Sequence, residues 1–180
     1  VWIHGGAFVG GAASLYRLDR LAREADAVVV SINYRLGVFG FLAPPTDASG
    51  AGHVLGLEDQ RLAMRWVKAN IAAFGGDPKN VTIFGESAGG VSVQSLLTIP
   101  AAKGLFHKAI VESGGGRDGV LTGRPINKNG DIHYPISAEQ IGLNFAKKHG
   151  IEGDDAQALA KLRALPAEEI VDGGEENVNG

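Results

Sequence analysis

The chain has 180 residues, 44% of them hydrophobic, and 20 acidic against 17 basic side chains give a formal net charge of −3 with no cysteine. That size and apolar content suffice for one sizeable core, while slight acidity and the lack of a basic cluster leave nucleic-acid binding without electrostatic support. An internal disulfide and a thiolate metal site are excluded, and no apolar run approaches the ~20 residues that a bilayer-spanning helix requires.

Val1 to His4 reads as a short buried strand opening into the small residues Gly5, Gly6 and Ala7. Leu18 to Ala25 reads as a short helix and Ala27 to Asn33 as a second apolar strand. Leu57 to Ala73 carries Leu62, Ala63, Trp66, Val67 and Ile71, mostly three or four apart, with Arg61, Arg65 and Lys68 on another face. This spacing predicts an amphipathic helix with a solvated basic edge, and Phe74-Gly75-Gly76-Asp77-Pro78 stops it by glycine and proline chemistry. Val81 to Phe84 are strand formers, Val91 to Leu97 reads as a helix and Lys108 to Val111 as a strand. Strands without polar alternation, separated by helices, place the chain in the α/β class, with a mostly parallel sheet covered on both faces.

From Gly114 to Pro135 the sequence turns rich in Gly, Asn, Asp and Pro, the composition of a loop excursion. Ser137 to His149, Asp154 to Ala164 and Pro166 to Val171 then read as short helices, the first opened by a capping-box pattern at Ser137 and Gln140. The expected organisation is one partial catalytic domain over 1–180: a sheet core over 1–113 and a loop and short-helix insertion over 114–180. The insertion serves either as a pocket wall or as surface decoration.

The chemistry concentrates at Gly85-Glu86-Ser87-Ala88-Gly89, a G-x-S-x-G sequence. Such a pattern arises readily in a chain with 27 glycines, so its context carries the argument. A strand before it and a helix after it are the order that raises a serine hydroxyl above a parallel sheet. Ser87 is therefore the candidate nucleophile; the alternative is a Gly-rich turn whose serine only caps the following helix. The small residues after the first strand add a second half, because backbone N–H groups can converge on a developing oxyanion only where side chains do not block the approach.

These residues resemble the type-B carboxylesterase family of the α/β-hydrolase fold, which includes cholinesterase-like and bacterial carboxylesterases. The resemblance runs from Val1 to about Gly114, through Val1-Trp2-Ile3-His4-Gly5-Gly6, Ser31 to Gly37, Leu57 to Ala63, Phe74 to Gly90 and Leu105 to Ile110. It implies that Ser87 attacks an ester carbonyl and that the N–H groups of Gly6, Ala7 and Ala88 receive the oxyanion. It also implies that Glu86 is a buried acid beside the nucleophile, Ser113 a polar neighbour of the catalytic groups, and Arg35 with Asp59 an internal ion pair. The alternative for Arg35 and Asp59 is two unrelated surface charges; the resemblance, not their spacing, favours the pair. Ala7 stands where the family usually has a third glycine, and Val54 where asparagine is frequent.

A serine needs a histidine base and a carboxylate to orient it. His107 reads as a packing residue, His133 falls in a turn-rich loop, and His149 precedes Gly150 at an apparent helix end. The expectation is that the acid and base lie beyond Gly180 and that Val1, already inside a strand, continues from an upstream segment. These 180 residues alone are then expected to be inactive or nearly so. The implied function is a carboxylic ester hydrolase working through a serine acyl-enzyme, with a small-molecule ester as partner and no cofactor, metal or nucleic acid. A thioesterase or amidase would use the same groups, and a non-catalytic adhesion protein would use the same scaffold. The resemblance leans toward a secreted or periplasmic compartment, and the oligomeric state stays open.

Overall fold

The computed structural model describes residues 1–43, 54–115 and 124–171. The middle of the expected loop excursion, residues 116–123, and the end of the insertion, residues 172–180, lie outside the described residues. Four strands, β1 (Trp2–Ile3), β2 (Ser31–Ile32), β3 (Thr82–Glu86) and β4 (Lys108–Glu112), form an all-parallel sheet in the order β2-β1-β3-β4. Helices supply the crossovers that parallel neighbours need: α1 (Asp19–Glu24) between β1 and β2, α2 (Gly37–Phe41) and α3 (Leu55–Asn70) before β3, and α4 (Ala88–Thr98) before β4. The chain turns to one side of β1 for β2 and to the other side for β3, so the carboxyl ends of β1 and β3 flank a topological switch point. In open α/β sheets ligands bind in the crevice outside such strand ends.

The core is the sheet packed against α3 and α4. Ile3, Ile83, Met64 and Val93 are fully buried and join Val67, Ile71 and Leu96 in one cluster. One face of α3 is therefore set by Gly56, Gln60, Met64 and Val67. The apolar stripe expected from spacing is displaced: Val67 and Ile71 are buried, but Leu62 is 65% exposed and Trp66 lies on the outside against Phe74 at 5.7 Å between ring centroids. Two apolar rows run side by side along this helix, and packing selects the row that contains Met64. The basic edge is solvated only in part, since the Arg61 side chain is 13% exposed and folds back on Glu58, and Lys68 Nζ donates to the Gly104 carbonyl at 2.9 Å.

Helix α3 runs into a 3-10 turn over Ile71–Phe74, and Gly75 ends it in the left-handed region at φ 84°, its N–H bonded to the Ala72 carbonyl. The second strand pairs over fewer residues than its apolar run: Ala27 to Val30 approach the sheet, but Val28 is 42% exposed and the ladder is carried by Ser31 and Ile32, with Trp2 N–H reaching the Val30 carbonyl. In β4, the outermost of the four described strands, all five residues are exposed.

Three helices follow the loop region: α5 (Ala138–Lys148), α6 (Ala156–Arg163) and α7 (Ala167–Val171). Ser137 Oγ caps α5 by accepting from Gln140 N–H at 3.2 Å, but the Gln140 side chain turns to Asn144 instead of closing the box. Asp155 caps α6 through the N–H groups of Gln157 and Ala158. Phe145, Ala146, Ile151, Ala158 and Leu162 form a second cluster, and Val38 and Leu42 of the α2 segment pack against it.

An ion pair ties the end of β2 to α3. Arg35 Nε and Nη2 donate to Asp59 Oδ2 and Oδ1, both at 2.7 Å, and Arg35 N–H also donates to Oδ2 at 3.0 Å. These hydrogen bonds hold the Asp59 carboxyl below the usual carboxylate range, against the opposing effect of partial burial.

Two consequences follow for stability. Met64→Ala is expected to cost about 3 kcal/mol by leaving a cavity, whereas Leu62→Ala stays within about 0.5 kcal/mol; urea unfolding midpoints read the difference, and equal midpoints contradict this packing. Asp59→Asn is expected to cost about 1 kcal/mol at pH 7, a modest figure because the Arg35 side chain is 48% exposed. A depressed folded pKa gives stability that is present above the unfolded carboxyl pKa, about 4, and is lost as pH falls through the folded value. The gap between Asp59→Asn and wild type should therefore close progressively below about pH 4 in unfolding curves taken across acid pH.

Candidate active site

Extending the strand registers past their ends brings four positions level at the carboxyl edge of the sheet. Ile32 is paired with Ile3 and Ile3 with Gly85, and Glu86 with Glu112. One or two residues further on, Tyr34, Gly5, Ser87 and Ser113 stand in a row across β2, β1, β3 and β4.

Ser87 occupies the turn from β3 to α4 at φ 55°, ψ −122°. A non-glycine residue held at positive φ costs on the order of 1–3 kcal/mol and persists only where its surroundings over-determine it. The surroundings here are main-chain bonds: Ser87 N–H to the Glu112 carbonyl at 2.9 Å, and the Ser87 carbonyl accepting Val91 N–H at 2.9 Å. Although Ser87 sits at the N-cap of α4, its hydroxyl makes no capping bond. The capping alternative raised by the sequence is not the arrangement found.

Close approach of β1 to this turn requires missing side chains. A Cβ at Gly89 would stand 2.0 Å from the Ile3 carbonyl oxygen, and one at Gly5 would stand 2.7 Å from the Glu86 carbonyl oxygen and 3.1 Å from Ser87 Cβ. The loop that continues from Gly5 is exposed at Gly6 and Ala7 and is closed by Val9 and Gly10 N–H groups, both bonded to the Gly6 carbonyl at 3.0 Å. Ala7 and Phe8 adopt positive φ, 55° and 63°. Among the described residues the N–H groups of Gly6 and Ala7 have no acceptor. Ala88 opens α4, where the first-turn N–H groups lie beyond the reach of intrahelical bonds.

Beneath the loop, His4 is fully buried. Its Nδ1 lies 2.8 Å from the Gly5 carbonyl, and its ring stacks on Tyr34 with centroids 4.5 Å apart at 20°. Tyr34 Oη donates to the His4 carbonyl at 2.6 Å. Burial, with a smaller contribution from Tyr16, pushes the Tyr34 phenol up to about 12, so it remains a donor throughout the neutral range. Nothing in the sequence pattern assigns Tyr34 a part; the available signal is an aromatic residue directly after the apolar strand run Ala27 to Asn33.

Glu86, the last residue of β3, is half-buried, with Oε2 3.2 Å from the place a Gly5 Cβ would take. Ser113 is exposed at φ 49°. Arg35 and Asp59 form the ion pair described above, one residue beyond Tyr34. His107 lies at the opposite end of the sheet, before β4, where its Nδ1 accepts Val81 N–H at 3.1 Å. His133 belongs to the turn that Asp131 organises, and His149 packs on Phe145 with Nδ1 4.0 Å from Glu169. Val54 precedes α3 and is 38% exposed. A groove of about 540 Å³ runs between α1, the end of α3 and the start of β3, and its lining includes neither Ser87 nor Gly5 to Ala7. Its lining mixes apolar side chains with Asp26, Asp77, Asn80, Thr82 and Glu112 and holds no serine or histidine, so the carboxyl edge remains the candidate site for Ser87 chemistry. Among the described residues no cluster of His, Asp or Glu is arranged to hold a metal ion.

Comparison with known proteins gives concordant results. The chain is 58% identical over 173 residues to the para-nitrobenzyl esterase of Bacillus subtilis (strain 168), covering 95% of this chain and 32% of that protein. It is 43% identical over 172 residues to human carboxylesterase 5A, covering 95% of this chain and 28% of that one. Among solved structures, a thermophilic PNB esterase superposes with a TM-score of 0.79 at 42% identity, covering 97% of this chain and 33% of that chain. The chain thus spans about a third of the length of the relatives it matches. Those structural neighbours share the α/β-hydrolase fold, of which this parallel sheet and its helices are a part. Since the carboxylesterase family model also runs from residue 1 to residue 179, the chain belongs to the carboxylesterase family.

Proposed function

We propose that the protein carrying this chain is a carboxylic ester hydrolase that works through an acyl-enzyme at Ser87. The observation that supports this reading best is the strained Ser87 turn, whose hydroxyl makes no capping bond, set beside a loop that presents N–H groups without acceptors. Ser87 Oγ attacks the ester carbonyl carbon while a base takes its proton, and the carbonyl oxygen becomes an oxyanion. The N–H groups of Gly6, Ala7 and Ala88 receive that oxyanion. The tetrahedral intermediate collapses, the C–O bond to the alcohol breaks, and the alcohol leaves with the proton from the base. Water then attacks the acyl-enzyme by the same route and releases the acid. Each oxyanion donor contributes roughly 3 kcal/mol of transition-state stabilisation.

The base and its carboxylate belong to the protein outside this chain in this reading. Support comes from His107 at the wrong end of the strands and from His4, which is buried and bonded to the Gly5 carbonyl. Glu86 and Ser113 act as polar neighbours: the first flanks Gly5 and Ser87, and the second directly follows the strand whose Glu112 carbonyl holds the Ser87 amide. Residues 1–113 carry the nucleophile and the donor loop, and residues 114–180 the attached helical part. The similarity to a para-nitrobenzyl esterase makes p-nitrobenzyl esters the substrates to try first.

The test uses the full-length protein with a fluorophosphonate probe and a p-nitrobenzyl ester. Labelling should occur in the wild type and vanish in Ser87→Ala, with kcat falling by at least about 10⁴-fold. A folded wild type that neither labels nor turns over esters would establish the binding-protein reading instead.

A further inference from the structure

A trans peptide unit is planar, with its N–H pointing opposite to its C=O. Where a carbonyl is bonded inward, the N–H of the same unit is aimed outward. Each of the three proposed oxyanion donors is aimed in this way. The unit carrying Ala7 N–H is held by the Gly6 carbonyl, which accepts Val9 and Gly10 N–H, and the unit carrying Ala88 N–H by the Ser87 carbonyl, which accepts Val91 N–H. Both of those are main-chain bonds that many sequences could make.

The third differs. The unit carrying Gly6 N–H is held by the Gly5 carbonyl, and its partner is a side chain, His4 Nδ1 at 2.8 Å. A carbonyl only accepts, so His4 Nδ1 carries the proton of this bond. Among the described residues Nε2 is buried with no partner, leaving the ring no second hydrogen bond there to fix its orientation. What holds the imidazole is Tyr34, which stacks on it at 4.5 Å and bonds the carbonyl of the same residue through Oη at 2.6 Å. Gly11 packs against the His4–Gly5 bond itself, where a Cβ would stand 2.6 Å from both His4 Nδ1 and the Gly5 oxygen.

We propose that Tyr34 is a positioning residue for ester hydrolysis: by clamping His4 from the adjacent strand it aims the Gly6 amide at the oxyanion formed on Ser87. The inference rests on the esterase reading given above. Tyr34 touches neither substrate nor Ser87 in this role, and its effect is confined to the step in which negative charge develops. Phe41 extends the clamp, standing edge-on to Tyr34 at 6.5 Å and against Phe8 at 4.6 Å, while the Phe8 carbonyl accepts Gly37 N–H. The loop is thereby gripped at both ends by the segment that follows β2.

The experiment compares wild type, Tyr34→Phe, Gly11→Ala and Phe41→Leu in the full-length protein with a p-nitrobenzyl ester and a trifluoromethyl ketone, whose carbonyl becomes an oxyanion when Ser87 Oγ adds to it and its proton passes to the base. Tyr34→Phe keeps the ring and loses Oη. Its kcat is expected to fall about tenfold with KM changed less than about twofold, because an interaction made only in the transition state leaves ground-state binding alone. Affinity for the ketone should fall in the same ratio as kcat. Gly11→Ala, at φ 117°, disturbs the His4–Gly5 bond directly and should give the same split, and Phe41→Leu, which removes the ring standing edge-on to Tyr34, serves if Tyr34→Phe does not fold. Wild-type kcat in a folded variant, or a loss that follows only the folded fraction, overturns the inference while leaving Ser87 as nucleophile. A wild type that shows no turnover overturns both.

Discussion

Main chain touching main chain between the end of β1 and the turn after β3 is the constraint on which the site depends. The helix that starts at Ala88 reaches the Ile3 and His4 carbonyls because Gly89 has no side chain, and the elbow reaches β1 because Gly5 has none. A methyl group at either place would meet a backbone oxygen inside van der Waals contact. Parallel pairing of β1 with β3 then puts Gly5 and Ser87 at one level, so the loop that follows Gly5 leaves the sheet beside the Ser87 turn. The positive φ of Ser87 belongs to the same constraint, stabilised by bonds to the Glu112 carbonyl and from Val91.

Around this contact the carbonyls are satisfied inward and the N–H groups are left outward. Planarity of the peptide couples the two, so an array of outward amides is the other side of an array of internal hydrogen bonds. Such an array is organised before any charge arrives, which is the condition under which dipoles stabilise an oxyanion without reorganising. Tyr34, His4 and Gly11 extend the principle to a unit for which the loop offers no main-chain donor. A buried imidazole does there what an amide does elsewhere.

The helical part attaches to the same region through α2. Val38 and Leu42 face the α5 to α7 cluster, while Phe41 faces Phe8 and Tyr34 and Gly37 N–H holds the Phe8 carbonyl. One five-residue helix therefore joins the second hydrophobic cluster to the donor loop. Its sequence, Gly37-Val38-Phe39-Gly40-Phe41, has two glycines and no helical periodicity, so local reading had no signal for it. It forms because both of its sides have something to pack against.

By itself the sequence determined the α/β class, the strand-turn-helix order at Ser87 and the stop at Gly75, because strand and helix periodicity and glycine's access to positive φ act over a few neighbouring residues. It did not determine which of two apolar rows on α3 faces inward, or that Gln60 and Ser92 meet in a buried hydrogen bond between α3 and α4 at 3.0 Å. Nor did it show that Tyr34, Gly5, Ser87 and Ser113 stand level across four strands. Those outcomes depend on register and on which elements are neighbours, and both are set by contacts between residues far apart in the chain. Hydrophobic spacing states that a face is apolar; only tertiary packing decides which apolar face is removed from water.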